Sequence, residues 1–484
     1  MTNVAAPLDH QTPLLELGRP HRSRVLRIAF LVLTDLACLV VAWCLAYWAW
    51  ARPVHGQPPE LYAALLPLSM LFILGFARTG LYPGFGLGPA ETLRRLCYVI
   101  LFGFVMLASA SFVMQLPHVY SRITFGLAGA LSLVLVPLGR VGLNRLAERS
   151  DWWSEPVLVV GTGARAQRVI AALGETRGMG YRPVVALSLN SHAGGGEHLR
   201  GVPVLGGLEH VEMLVQLGLK IALLEPDDEV DAETLDELQS RFRHVVMLGR
   251  FDDLPVEGVE VRNLGGSLGI EYTNNLLKWH NRTFKRGVDL VLGGTLLVLS
   301  IPLLLAGALA IRTVSRGPIL FRQERVGTGG SRLMVPKLRT MKVRAEEELQ
   351  EHLESDPALR QEWEARRKLS DDPRLIPGVG RFLRRWSIDE LPQLWCVVRG
   401  EMSLVGPRPL PRYHLRDFPP SFRRLRGRVR PGLTGMWQVT IRGDGDLDEQ
   451  QALDSYYIRN WSFWLDLHLL IRTVTAVLAG RGAY

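Results

Sequence analysis

Two adjacent carboxylates, Asp389 and Glu390, sit in the run Arg384-Arg385-Trp386-Ser387-Ile388-Asp389-Glu390-Leu391-Pro392. Arg381, Arg384 and Arg385 precede them, and Arg408 follows inside the stiff turn Gly406-Pro407-Arg408-Pro409. Carboxylates among arginines can serve a metal, a phosphate and a nucleophile within one site. The same residues fit a plainer reading, because Ser387-x-x-Glu390 is a capping box, with Ser387 as N-cap and Glu390 reaching back. On those four residues alone the cap is the simpler account. A helix start also attracts phosphate, however, and the prolines around Arg408 would hold one guanidinium in place. What surrounds this stretch decides its chemistry.

The first third of the chain places it at a membrane. Four apolar segments, about 25–50, 61–77, 96–115 and 123–146, each approach or exceed the roughly 20 residues that cross a bilayer. Arg22, Arg24 and Arg27, then Arg78, Arg94 and Arg95, then Arg140, Arg145 and Arg149 lie at alternate ends of these spans. The positive-inside bias then puts the N-terminus and everything after residue 150 in the cytoplasm. The first run starts late and is long, unlike a cleaved signal peptide.

A change of composition near 150 opens an α/β domain. Val157-Leu158-Val159-Val160 reads as a buried strand, followed by Gly161-Thr162-Gly163-Ala164, the turn of a Rossmann-like unit. Further strands are expected at 184–189, 221–224 and 245–248. The second strand ends in Ser188-Leu189-Asn190 rather than in an acidic residue that would hold a ribose. A scaffold without a bound dinucleotide is therefore expected.

The run from Val288 to Ile311 behaves differently. Lys278, Arg282, Lys285 and Arg286 precede it, Arg312 and Arg316 follow it, and Pro302 interrupts it. A spanning helix would export one basic flank and everything downstream. The expected solution is a re-entrant helix at about 284–312, broken at Pro302, with Ser300 bonding a freed carbonyl. The basic residues before it, Lys285 and Arg286 among them, would hold the anionic leaflet. Beyond it, strands are expected near 319–323 and 335–341, then a charged surface helix over 343–368.

Composition agrees with this layout. The 484 residues are 48% hydrophobic yet 21% charged, with a net charge of +9, which suits membrane segments joined to soluble parts and anionic partners. No nucleic-acid-binding motif appears. The four cysteines, Cys38, Cys44, Cys97 and Cys396, form no CxxC pair, so neither a disulfide framework nor a zinc site is expected.

Several motifs occur together: Lys285-Arg286-Gly287-Val288-Asp289, the proline-interrupted run, Lys337-Leu338-Arg339-Thr340-Met341, Ser387 to Leu394, Gly400 to Pro409, Arg430-Pro431-Gly432-Leu433-Thr434-Gly435 and the Gly482-Ala483-Tyr484 end. With the four spans and the α/β insert, the chain resembles the long form of the bacterial polyprenyl-phosphate sugar-1-phosphate transferases, the monotopic phosphoglycosyl transferases. It departs at Ser300-Ile301-Pro302, where that family usually places Ser directly before Pro.

The resemblance implies an inner-membrane enzyme with its catalytic domain on the cytoplasmic face. It would move galactose- or glucose-1-phosphate from a UDP-hexose to undecaprenyl phosphate, for O-antigen, capsule or exopolysaccharide. It also implies that Asp389 attacks the β-phosphorus, expelling UMP and leaving a phosphosugar-aspartate, while Glu390 holds Mg2+. Lys337, Arg339, Arg384 and Arg408 match the family's basic positions and would contact phosphate. The layout expected is a tail at 1–24, four transmembrane helices at 25–150, a Rossmann-like domain at 151–265 and a catalytic α+β domain at 266–484, assembled as a homodimer. Two other readings stand beside it: a membrane-anchored NAD-dependent sugar-modifying enzyme, which lacks a Tyr-x-x-x-Lys pair in the α/β domain, and a non-enzymatic assembly scaffold.

Overall fold

Apolar runs at the start of the chain fold as helices, the conformation that pairs every backbone group within its own segment. They are α1 (Pro20–Ala46), α2 (Ser69–Arg78), α3 (Pro89–Val113) and α4 (Arg122–Ala147). With their helical extensions, Arg24–His55, Pro59–Arg78, Pro89–Val113 and Arg122–Ala147 are each long and apolar enough to cross a bilayer, as is Trp279–Val314 further on. The computed structural model describes residues 20–113, 120–147, 150–175, 180–189, 198–225, 232–248, 259–264, 267–272, 275, 278–355, 360, 372, 374–440 and 447–478. The Gly482-Ala483-Tyr484 end and the second half of the charged 343–368 segment lie largely outside them. Two compact units divide the chain, Met1–Asp252 and Asp253–Tyr484.

In the first unit α1 and α3 both lie along α4, around a core rich in aromatics: Leu39, Trp43, Phe72, Phe76, Phe104 and Phe125. Inside the same packing lies a charge. Asp35 of α1, fully buried, accepts hydrogen bonds from Arg140 of α4 (Nε 2.9 Å, Nη2 2.5 Å) and from the Tyr82 hydroxyl (2.6 Å). A carboxylate persists in apolar surroundings only when paired in this way.

The α/β region of this unit follows. Strands β1 (Glu155–Val160), β2 (Tyr181–Ser188), β3 (His198–Leu199), β4 (Val202–Gly206), β5 (Ile221–Leu224) and β6 (His244–Met247) form one sheet in the order β3-β4-β2-β1-β5-β6. All pairs are parallel except β3–β4. Every residue of the central β1 is buried, as expected for a strand covered on both faces. Helix α5 (Ala164–Glu175) starts after the Gly161 turn, whose φ of +122° and contact with the Glu225 carbonyl leave no room for a Cβ.

The second unit opens with an antiparallel hairpin of β7 (Val259–Leu264) and β8 (Ser267–Tyr272). The change of unit thus falls ahead of the hairpin, whereas the sequence reading put it at 265/266. Helix α6 (Trp279–Val314) then runs for 36 residues with Pro302 inside it. It is one continuous helix, where a break was expected. The Ser300 hydroxyl donates to the Leu297 carbonyl at 2.7 Å, while the carbonyl that Pro302 leaves without an N–H, four residues before it, is that of Val298.

Both flanks of α6 are tied to the rest of the second unit. Asp289 Oδ1 accepts from Ser403 Oγ and the Leu404 N–H, each at 3.0 Å. A Cβ on Gly293 would lie 3.0 Å from Val397, and one on Gly307 would lie 3.0 Å from Leu338. Ile311 shares a core with Leu338, Ile376 and Leu383. Between these anchors Leu296, Val298, Leu299, Ile301, Leu303 and Leu305 are exposed.

Beyond α6, β9 (Leu320–Val326) and β10 (Arg332–Leu338) form an antiparallel pair. Helix α7 (Val379–Arg385), a 3-10 turn (Ile388–Gln393) and α8 (Leu394–Arg399) lead to β11 (Ser403–Val405), which pairs in parallel with β12 (Gly432–Thr434). Two further helices close the unit, α9 (Leu447–Arg459) and α10 (Phe463–Leu478).

Candidate active site

Chain reversal at Ser387 creates the site. Ser387 has a φ of +54°, a left-handed conformation unusual for a residue with a Cβ, and it separates α7 from the 3-10 turn that carries Asp389 and Glu390. Its side chain makes no capping bond; the Glu390 N–H donates to the Ser387 carbonyl at 3.2 Å instead. The capping box expected from Ser387-x-x-Glu390 therefore does not form. Glu390 points to cations rather than back along the chain.

Glu390 Oε1 lies 2.6 Å from Lys337 Nζ on β10 and 3.5 Å from Arg408 Nη2. Burial alone would raise its pKa, but the charges of Lys337, Arg408 and Arg325 with the Lys337 hydrogen bond outweigh it and hold the carboxyl down to about 2. Asp389 is buried. Loss of solvent and the neighbouring Glu390 charge push it up to about 6, against the pull of Lys337 and Arg384. The two carboxylates are thus driven apart in acidity by their surroundings, the usual mark of groups with different tasks.

Arg384 is itself held in place, its Nε donating to Thr340 Oγ1 at 3.0 Å. Arg325 of β9 was not singled out in the sequence. Burial and the adjacent Arg408 charge depress its pKa, and it acts electrostatically on Glu390. Lys337 and Arg408 contact Glu390, and the charges of Arg384 and Arg325 also act on the acidic pair, leaving positive charge for an incoming anion.

Three expected contacts belong elsewhere. Arg339 donates to the carbonyls of Ser315 and Arg316, both at 3.1 Å, and so caps the end of α6 instead of facing the acidic pair. Lys285, expected at the lipid surface, pairs with Asp466 at 2.5 Å and donates to the Val405 carbonyl at 3.1 Å. Arg286, expected beside it, donates to the carbonyls of Val397 and Val398 at 2.6 Å, capping α8. In each case polar groups inside the unit, backbone carbonyls and for Lys285 also a carboxylate, take up the cation.

Among the described residues no three Asp, Glu, His or Cys side chains gather into a metal cage. Asp389 and Glu390 offer two carboxylates. That donor set fits Mg2+, which commonly takes one or two protein carboxylates and completes its shell with phosphate oxygens and water.

Fold and site together define a membrane-type transferase with several apolar helices and an α/β region. The model of the family described as bacterial sugar transferase matches residues 280–480. The UDP-galactose-lipid carrier transferase of Erwinia amylovora is 34% identical over 377 residues, covering 75% of this chain and 76% of that protein. The undecaprenyl-phosphate galactose phosphotransferase of Salmonella typhimurium is 33% identical over 371 residues, 75% and 77% of the two chains. A UDP-glucose:undecaprenyl-phosphate glucose-1-phosphate transferase of Caulobacter vibrioides is 43% identical over 207 residues, 41% of this chain and 72% of that protein. This chain belongs to the bacterial sugar transferase family.

Proposed function

We propose that the protein transfers hexose-1-phosphate from UDP-galactose or UDP-glucose to undecaprenyl phosphate, the first membrane step of a surface polysaccharide. The observation that carries this reading is a buried Asp389 held beside an ionised Glu390 within a cluster of four cations. In the first step an Asp389 oxygen attacks the β-phosphorus of the donor. The bond from that phosphorus to the bridging oxygen breaks, and UMP leaves with the electron pair. In the second, an oxygen of undecaprenyl phosphate attacks the same phosphorus and returns Asp389 to its carboxylate form.

Lys337, Arg384, Arg408 and Arg325 hold the diphosphate in line and offset the charge that gathers on its oxygens. Mg2+, held through Glu390, would reduce the repulsion between carboxylate and diphosphate. Donor binding would then draw Lys337 and Arg408 from Glu390 toward phosphate.

The anchors of α6 support a re-entrant insertion in which the continuous helix bends at Pro302 rather than breaking. Between Gly293 and Gly307, both held against one catalytic core, about 14 residues of helix span roughly 21 Å, short of the ~30 Å of hydrocarbon. The exposed apolar side chains between the anchors then enter one leaflet, and the catalytic unit stays on the cytoplasmic face of the inner membrane, where UDP-sugars are. In unit 1, the central β1 and its glycine turn support a Rossmann-like scaffold.

Purified full-length protein with Mg2+, undecaprenyl phosphate and a panel of UDP-sugars should release UMP, and Asp389→Asn should abolish release. UDP as the product would mean glycosyl transfer and would rule out the phosphosugar route. Undiminished activity of the variant would remove Asp389 as the nucleophile.

A further inference from the structure

Two buried carboxylates of the second unit, Asp454 on α9 and Asp466 on α10, take no part in the chemistry above, yet both lead to the stretch Val405–Arg408. Asp466 receives Lys285 Nζ at 2.5 Å and Trp461 Nε1 at 3.0 Å, and the Tyr457 hydroxyl lies 2.8 Å from it. The same hydroxyl is 2.9 Å from the Val405 carbonyl, to which Lys285 also donates. Asp454 forms an ion pair with Arg426 at 3.4 Å, and Arg426 Nη2 donates to the Arg408 carbonyl. All four of Asp454, Asp466, Tyr457 and Arg426 are buried.

Asp454 and Tyr457 stand three residues apart, so they share one face of α9. That face therefore reaches both ends of the stretch Val405–Arg408. Its middle is fixed by backbone alone: the Gly406 N–H donates to the Thr434 carbonyl at 2.8 Å, and the Gly432 N–H donates to the Pro407 carbonyl at 2.9 Å. Those two bonds hold the middle of the turn, and the side chains of α9 and their partners add a hold at each end, at Val405 and at Arg408. Buried ion pairs are costly to desolvate and are weak contributors to stability, so their placement under a single turn calls for another role.

We propose that Asp454 and Asp466 are positioning residues. Acting through Arg426, and through Lys285 and Tyr457, they lock the backbone of Val405–Arg408 so that the Arg408 guanidinium stays in reach of Glu390 and of the donor diphosphate. What Arg408 binds rests on the transferase reading above; the brace itself does not.

The test uses the full-length protein with Tyr457→Phe and Asp454→Asn, each alone and combined with Arg408→Ala. In single-turnover UMP release, the amplitude counts competent molecules and the rate constant reports positioning. Each brace variant should keep the amplitude and lose about tenfold in rate, yet change the Arg408→Ala rate by less than about twofold, because the effect passes through Arg408. Hydrogen exchange of the peptide 403–410 should be at least about tenfold faster in both variants, with peptides of α6 unchanged. Unchanged exchange, or a rate loss that multiplies with that of Arg408→Ala, overturns the brace. A wild-type protein that releases no UMP overturns the transferase reading instead, and the exchange measurement still decides the brace.

Discussion

Asp389 carries a pH dependence whose sign follows from burial. Its folded-state pKa lies above that of a free carboxyl, so the reactive, ionised form is lost as the pH falls through about 6. The kcat/KM for the UDP-sugar should therefore be level at higher pH and fall about tenfold per unit below about 6. Glu390, held down to about 2, stays ionised throughout and adds no second limb. A profile flat to pH 4.5 would contradict this electrostatic account. The same burial penalises the ionised carboxylate at neutral pH, by up to about 3 kcal/mol for a shift of roughly two units. Asp389→Asn should thus be inactive but melt a few degrees higher, which differential scanning fluorimetry would show. Arg408→Ala should lower the rate of UMP release by about two orders of magnitude, as loss of a charge-stabilising donor does. Arg339→Leu should leave that rate within a few-fold and lower the melting temperature, because Arg339 serves a helix end.

At the scale of elements, the sequence showed which residues carry charge but not which way they turn. Lys337 and Arg339 are two apart, and in a continuing strand they would share a face. The strand β10 ends at Leu338, and there the two part company: Lys337 meets Glu390 while Arg339 meets the end of α6. Lys285 and Arg286 read as lipid anchors because an apolar run follows them; the carbonyls of Val405, Val397 and Val398 that claim them are more than a hundred residues away. Arg325 escaped notice because β9 bears no motif, and only its pairing with β10 brings it to the site. For α6 the prediction is topological. Cysteines placed on its two flanks, at Arg282 and Thr313, should react with a membrane-impermeant maleimide from the same side of the membrane. Labelling from opposite sides would make α6 an ordinary span.

Over the whole molecule the apolar helices, the glycine turn and the acidic pair were legible because each is a local pattern. Sheet order, the division between Asp252 and Asp253 and the shared core of Leu338, Leu383 and Ile311 were not, because each depends on which distant segments meet. The Asp35–Arg140–Tyr82 cluster belongs to that second kind, since the sequence marked only Arg140, as a topogenic arginine. An Arg140→Leu variant should strand Asp35 without its partner and reduce the amount of full-length protein recovered in membranes severalfold. Asp35→Leu with Arg140→Leu should restore much of it, because the pair then leaves no charge unmet.

That cluster also sets a timetable for biogenesis. Asp35 leaves the ribosome 105 residues before Arg140. At about 5–20 residues per second, the first helix spends roughly 5 to 20 seconds with its acid unmatched. The acid of the first helix therefore gains its buried arginine partner only once the fourth helix has been made.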